Sequence, residues 1–301
     1  MKSSLLTLGD PLGPKGRRRV LVASVVSAAA IVAVVAVAIR RLDENGQLDE
    51  SKWRPLTQWA VFKFFLGGLG NTVKAALTAM AIALVVGGVM ALARLARGWP
   101  QRWLAGLYVE FFRGLPLYLL ILFSWLGLPK LGVDLDVFWY LVLALAVYNS
   151  AILAEIFRAG ILSLDRGQGE AASAVGLRYW QAMGLVILPQ AIRRMVPAIV
   201  SQLVTLLKDT SLGILLAYEE LLRRARISSE FFQNPVHSFA LVAVIYIAVN
   251  MTLSYVATRL EARQRRRYKA GAIQVGGLED LAVTQATASA RPAPVARPVS
   301  A

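Results

Sequence analysis

Four long runs of apolar residues, none interrupted by a charge, constrain this chain more than any other feature of its sequence. The runs are Val20–Ile39, Ala75–Ala93, Val137–Ala154 and Ser238–Thr258. A helix needs about 20 apolar residues to cross a hydrocarbon core of about 30 Å, and each run is close to that length. Hydrophobic residues make up 57% of the chain and charged residues 17%, so lipid is the solvent for most of it. The sequence predicts an all-α membrane protein.

Two weaker segments bring the predicted number of transmembrane helices to about six. Gly114–Leu128 is uncharged but short. Pro116 predicts a bend at its start, because proline lacks a backbone donor and disfavours helix in the residue before it. Met195–Tyr218 is apolar except for the adjacent Lys208 and Asp209. These two charges either neutralise one another or mark a break in the helix.

The first apolar run has two interpretations, a cleaved signal peptide or a retained span. A basic cluster precedes it, as in the n-region of a signal peptide. The run is longer than the usual signal-peptide core, however, and Arg40-Arg41 follow it without a small-residue cleavage motif. A retained span is therefore favoured. With the N-terminus in the cytoplasm, about two thirds of the Lys and Arg residues lie in cytoplasmic segments, which favours both termini inside.

Composition excludes several classes of function. The chain has no cysteine and a single histidine, His237, which excludes disulfides and thiolate metal sites and leaves one imidazole for a metal site or a Ser-His-Asp triad. The net charge of +15 indicates basic cytoplasmic loops in a membrane protein, and not nucleic-acid binding. No Walker A sequence occurs, so the chain does not hold nucleotide phosphates by that route.

The longest predicted cytoplasmic loop, residues 158–196, has local structure of its own. Glu170–Val175 is a short helix by propensity, and Gly176 is its predicted stop. A second helix, Arg178–Val186, is expected to end before Pro189. An alanine-rich helix at the membrane surface either docks into a groove of another protein or packs on its own bundle. The residues alone leave both interpretations open.

The same loop resembles the EAA loop of ABC-importer permease subunits. The family pattern is Glu-Ala-Ala, three residues, Gly, nine residues and Ile-x-Leu-Pro. Glu170-Ala171-Ala172, Gly176 and Val186–Pro189 fit this spacing, with Val186 in place of the usual Ile. Further motifs resemble the polar amino acid subfamily over about residues 60–260: the Gly167-Gln168 prefix, Gly70-Asn71-Thr72, Phe112–Pro116, Tyr148-Asn149-Ser150, Ala154-Glu155, Arg158–Ile161, Pro189–Ala191 and Lys208–Leu212.

The resemblance implies a type I importer permease core of five helices, here with an extra N-terminal span. The implied divisions are a basic cytoplasmic tail (1–19), an extra helix with an external loop (20–59), a permease domain (60–260, with the EAA loop at 159–189) and a basic, then disordered, cytoplasmic tail (261–301). The N-terminal extension looks most like that of actinobacterial glutamate-uptake permeases.

The resemblance also implies partners in a bacterial plasma membrane. A cytoplasmic ABC ATPase dimer would bind ATP-Mg, because this chain carries no cofactor of its own. A second permease, identical or a sister subunit, would complete the pathway, and an extracytoplasmic solute-binding protein would deliver a polar amino acid. By the same resemblance, Gly167 and Gln168 set the entry turn of the coupling helix. Its contact with the ATPase is made by Glu170, Ala171, Ala172 and Gly176.

Polar side chains inside predicted spans are candidate substrate contacts, because burying them in lipid is costly. An amino acid zwitterion needs an acceptor for its ammonium group and donors for its carboxylate. Glu155 or Asp209 could supply the acceptor. The donors could come from Lys208, Asn149 and Asn250. The alternative is a structural role, since asparagines often bridge helices.

Two other functions compete with an ATP-driven importer. A secondary transporter or channel would work without an ATPase and would depend on an ion gradient. An intramembrane enzyme is the third possibility, but the sequence has no cysteine, one histidine and no paired aspartates within its spans.

Overall fold

The structure is a computed structural model that describes residues 13–96, 98–259 and 262. Most of the predicted tail at 1–19 and nearly all of that at 261–301 lie outside the described residues. Within the described ranges the chain is helical and contains no strand. The predicted all-α class is confirmed.

Five helical segments of the described chain are long and apolar enough to cross a membrane, and the number is six if one bent pair of helices counts as a single span. The prediction of about six spans agrees with this number by length and composition. Each predicted apolar run lies inside a longer helix, because the helices continue beyond the hydrocarbon-length runs into polar residues. The five segments are α1 (Pro14–Glu44), α3 (Trp59–Leu95), α6 (Val137–Leu162), the continuous path Tyr179–Leu216 and α11 (Pro235–Arg259). Short helices α2 (Glu50–Trp53) and α10 (Leu221–Phe232) lie between spans.

The bent pair has the break that proline predicts. Helix α4 (Trp99–Gly114) ends at an extended Leu115, and α5 (Leu117–Gly127) begins after Pro116. The two helices meet at 100°. Because Pro116 has no N–H to donate and holds Leu115 outside the helical region, the chain turns here without losing an intrahelical hydrogen bond.

The prediction that a helix ends before Pro189 is wrong. Helix α8 (Tyr179–Ala182) continues through a π-helical turn over Met183–Ile187 into α9 (Leu188–Asp209). Pro189 lies in the first turn of α9, where its missing N–H is not needed. A 3-10 turn over Thr210–Leu216 completes the path.

The chain divides into two compact units, residues 1–63 with 225–240 and residues 64–224 with 241–301. The first unit contains α1, none of whose residues is buried. A hydrogen bond holds the loop that follows α1: the backbone carbonyl oxygen of Gln47 lies 2.6 Å from His237 Nε2. The Asn234 amide also donates to the Lys52 carbonyl at 2.9 Å.

The second unit has α6 at the centre of its core. Leu141, Leu145 and Leu153 of this helix are completely buried. Helix α3 approaches α6 closely at Gly87, where a Cβ would lie 2.8 Å from the Ser150 carbonyl oxygen. The alanine face of α3 permits the same close packing, because small side chains let transmembrane helices approach: Ala75, Ala76, Ala79 and Ala83.

Candidate functional site

The short helix of the predicted EAA loop is present, but it begins earlier than expected. Helix α7 is Arg166–Ala174, and the Asp165 carboxylate caps it by accepting from Gly167 N at 2.9 Å. Gly167 and Gln168 therefore lie within its first turn and do not form an entry turn. The predicted stop is confirmed, because Gly176 has a φ of +83°, a left-handed conformation that glycine adopts without steric cost.

Most of α7 faces outward. Glu170 and Ala171 are exposed, whereas Ala172 is buried at 4% exposure and packs inward. Large apolar side chains next to the helix are also exposed: Val175 at 77%, Trp180 at 66%. A cluster of this kind on a loop segment is typical of a surface that contacts another protein. The coupling roles of these residues stay predictions.

A side-chain hydrogen bond joins α7 to the helical path that follows it. The Gln190 amide donates to Gln168 Oε1 at 3.1 Å and to the Val186 carbonyl at 3.0 Å. Sequence reasoning missed Asp165, which had a recognisable signal, since aspartate is a favoured N-cap residue. Gln190 was noted only as part of the Pro189–Ala191 motif. Its bond to Gln168 had no local signal, because the two residues are distant in the sequence.

Of the predicted pathway residues, Asn149 has a structural role in this conformation. It is completely buried in α6. Its Nδ2 donates to the Leu145 carbonyl at 2.8 Å, and its Oδ1 accepts from Gln202 Nε2 of α9 at 2.7 Å. The amide thus links α6 to α9.

Glu155 is surrounded by arginines. Its Oε1 forms a close ion pair with Arg94 and lies 3.8 Å from Arg113, and its Oε2 lies 2.9 Å from Arg158. The carboxylate is occupied by these cations and is not free to accept an ammonium group in this state.

Lys208 and Asn250 meet at one cavity. This open groove of about 680 Å³ lies between α9 and α11. The Asn250 amide donates to the Tyr246 carbonyl at 2.7 Å, while its Oδ1 is buried without a hydrogen-bond partner. Asp209 does not line the groove, and no ion pair within the described chain joins it to Lys208. The structure therefore brings two of the five candidates together.

The chain is similar in sequence and fold to known proteins. The family described as binding-protein-dependent transport system inner membrane component matches residues 83–266. The glutamate transport system permease protein GluD of Corynebacterium glutamicum is 35% identical over 230 residues, 74% of this chain and 84% of that protein. The arginine transport system permease protein ArtQ of Bacillus subtilis is 34% identical over 201 residues, 66% of this chain and 92% of that protein.

A solved structure supports the same assignment. The crystal structure of an amino acid ABC transporter with histidines aligns with a TM-score of 0.63 at 33% identity, over 67% of this chain and 94% of that chain. The fold, the position of the EAA sequence on an exposed helix and these similarities agree. The chain belongs to the family of binding-protein-dependent transport system inner membrane components, as a permease of the polar amino acid ABC importers.

Proposed function

We propose that this chain lines the pathway by which a bacterial importer brings a polar amino acid into the cell, and that a separate ATPase drives it through α7. The observation that carries this proposal is the geometry of α7. The Glu-Ala-Ala sequence lies on a capped helix, ends at a left-handed Gly176 and exposes Glu170 and Ala171. A rigid, exposed helix can transmit the movement of an ATPase to the spans that it is bonded to.

The partners follow from the family. A pair of cytoplasmic ATPase subunits supplies ATP-Mg and hydrolysis, a second permease chain completes the pathway, and a solute-binding protein delivers substrate from outside. Both termini and α7 face the cytoplasm in this proposal. The excess of Lys and Arg in the corresponding segments supports that orientation.

Crosslinking tests the coupling and the orientation together. Because the chain has no cysteine, Ala171→Cys places a single thiol on α7, and Ser51→Cys places one at an exposed position of α2, between α1 and α3. A thiol-attached photocrosslinker at position 171 should capture the ATPase, and at position 51 it should not. A membrane-impermeant maleimide should label position 51 but not position 171 in intact cells. Failure of position 171 to reach any ATPase would contradict the proposal.

Glutamate is the first substrate to test, because a glutamate permease is among the similar proteins. The groove supports a polar substrate, since the Lys208 ammonium can attract a carboxylate and Asn250 Oδ1 is an unused acceptor. Glu155, Asp209 and Asn149 stay candidates for other conformations of the pathway.

Uptake should be measured with radiolabelled glutamate, competed by arginine or histidine. Uptake that survives depletion of ATP and collapses with the ion gradient would favour a secondary transporter instead.

A further inference from the structure

The ion pairs of Glu155 leave an excess of positive charge in the second compact unit. One carboxylate faces three guanidinium groups, from Arg94 of α3, Arg113 of α4 and Arg158 of α6. The side chains of these arginines are 19%, 44% and 34% exposed. Two positive charges therefore remain unbalanced in this cluster, in which Arg94 and Arg158 are partly buried and Arg113 is exposed. An uncompensated charge is unfavourable at the partly buried groups.

Arg113 has most of its donors available. Its Nη1 lies 3.8 Å from Glu155 Oε1, beyond hydrogen-bond distance, and it makes no other ion pair within the described part of the chain. A guanidinium group has five N–H donors in a planar fork, which suits the oxygens of a phosphate or a carboxylate. The cluster therefore has both the positive charge and the free donors needed to bind one more anionic group.

Helix α4, which carries Arg113 in its last turn and two tryptophans near its start, indicates where that group comes from. Helix α4 exposes a series of large apolar side chains, among them Trp99 at 67%, Trp103 at 53% and Phe111 at 56%. Trp99 and Trp103 are stacked, with ring centroids 6.2 Å apart. Tryptophan is enriched at the level of lipid headgroups, and an exposed apolar face on a membrane protein meets lipid. The nearest abundant anion is therefore the phosphate of a phospholipid.

We propose that Arg94, Arg113 and Arg158 form a binding site for the phosphate group of an anionic phospholipid. Glu155 orients Arg94 and Arg158, and at the same time it competes with the lipid for their donors. Arg113 supplies the free guanidinium that makes the site selective for an anionic headgroup. The site is separate from α7 and from the groove at Lys208, and Glu155 is the one residue that it shares with the candidate pathway residues.

Native mass spectrometry of the delipidated full-length chain tests this site. Phosphatidylglycerol and phosphatidylcholine should be titrated in parallel, and phosphatidylglycerol should bind more tightly. Arg113→Gln should weaken phosphatidylglycerol binding about tenfold, the loss expected for a charge-assisted hydrogen bond. Glu155→Gln should tighten binding, because it releases two arginines. This opposite sign distinguishes a binding site from general damage to the fold.

Arg102→Gln is the matched control. Arg102 lies about three turns earlier on α4, is exposed and carries the same charge, but it makes no ion pair with Glu155. This variant should bind phosphatidylglycerol as the wild type does. Equal binding of the two lipids, or an Arg113→Gln variant indistinguishable from Arg102→Gln, would overturn the proposal. Displacement of the lipid by millimolar inorganic phosphate would assign the site to the free ion and overturn the lipid assignment.

Discussion

Gly176 is the residue at which the chain leaves α7. It adopts a backbone conformation that a residue with a side chain adopts only at a cost. The φ of +83° lies in the left-handed region. A Cβ at this position would meet no atom within 4 Å, so the cost of any other residue comes from the backbone alone. Gly169, inside α7, also has open space around a Cβ but has no positive φ.

This contrast predicts that the same change, glycine to alanine, has different effects at positions 176 and 169. Gly176→Ala should destabilise the end of α7 by about 1–2 kcal/mol, the cost of a left-handed conformation in a residue with a Cβ. Gly169→Ala should be neutral or stabilising, since alanine favours helix. Hydrogen exchange of the α7 amides measures the loss of helix stability in Gly176→Ala. ATP-driven uptake should fall in Gly176→Ala and not in Gly169→Ala, while both variants insert into the membrane normally. Equal exchange in both variants would contradict the role given to Gly176.

Glu220 is a buried carboxyl that the sequence did not single out. It is completely buried and accepts from Leu222 N at 2.8 Å, Arg223 N at 2.6 Å and Tyr246 Oη at 2.9 Å. It thereby caps the start of α10. Burial raises the pKa of Glu220 to about 7, although these three donors favour the charged form.

The raised pKa predicts how stability depends on pH. The ordinary value is 4.5, so the folded chain holds this proton more tightly than the unfolded chain. Its contribution, on the order of 3 kcal/mol, is fully present below about pH 4.5 and is lost as the pH rises through about 7. Thermal unfolding in detergent at a series of pH values from 5 to 8 should show this loss. Glu220→Gln should flatten the dependence, whereas Glu219→Gln, at an exposed neighbouring position, should leave it unchanged.

At the scale of elements, the apolar runs predicted which segments are spans, but not where the helices begin. Helix α3 starts at Trp59, well before the run at Ala75. Its first half is held by residues far away in sequence. The Asn71 amide donates to the Glu219 carbonyl at 2.8 Å, and Arg224 donates to the Phe64 carbonyl at 2.6 Å. Such long-range bonds leave no local pattern for sequence reasoning to detect.

The candidate site also has features that local sequence patterns predict and features that depend on long-range contacts. The spacing of the EAA motif and the glycine stop could be read locally, because a helix end depends on a few adjacent residues. The occupation of Glu155 by three arginines could not, because two of them come from other helices. Lys208 and Asn250 meet only through the packing of α9 against α11.

Thr72 offers a test of the contacts that hold α3. Its Oγ1 is buried and accepts from Leu221 N at 3.1 Å. Thr72→Val keeps the shape but leaves a buried N–H without a partner, which should destabilise the chain by about 1–3 kcal/mol. Thr78→Val is the control, because the Thr78 hydroxyl bonds only to Lys74 O of its own helix. Similar melting temperatures for the two variants would show that the hydrogen bond from Leu221 N to Thr72 does not contribute measurably to stability.

At the scale of the whole molecule, the family match contains most of the packed core, although Ala75, Ala76, Ala79 and Met80 precede it. The match covers residues 83–266, and the buried cluster around α6 lies in the second compact unit. Helix α1 differs from the other spans, because none of its residues is buried and its valines, its isoleucines and Leu21 are exposed, while Leu42 is half-buried. Its apolar surface is exposed along the helix, as expected for a span that faces lipid.

Removal of α1 should therefore leave the core intact. A chain that lacks residues 1–44 should insert into the membrane, and its melting temperature should match that of the full chain, since α1 contains no buried residue. Leu145→Ala is the comparison: it truncates one completely buried side chain of α6 and should cost about 2–5 kcal/mol. We therefore expect truncation of the single Leu145 side chain to lower the melting temperature more than deletion of the whole of α1. A deletion that melts as early as Leu145→Ala would mean that α1 supports the core through contacts made only in the membrane.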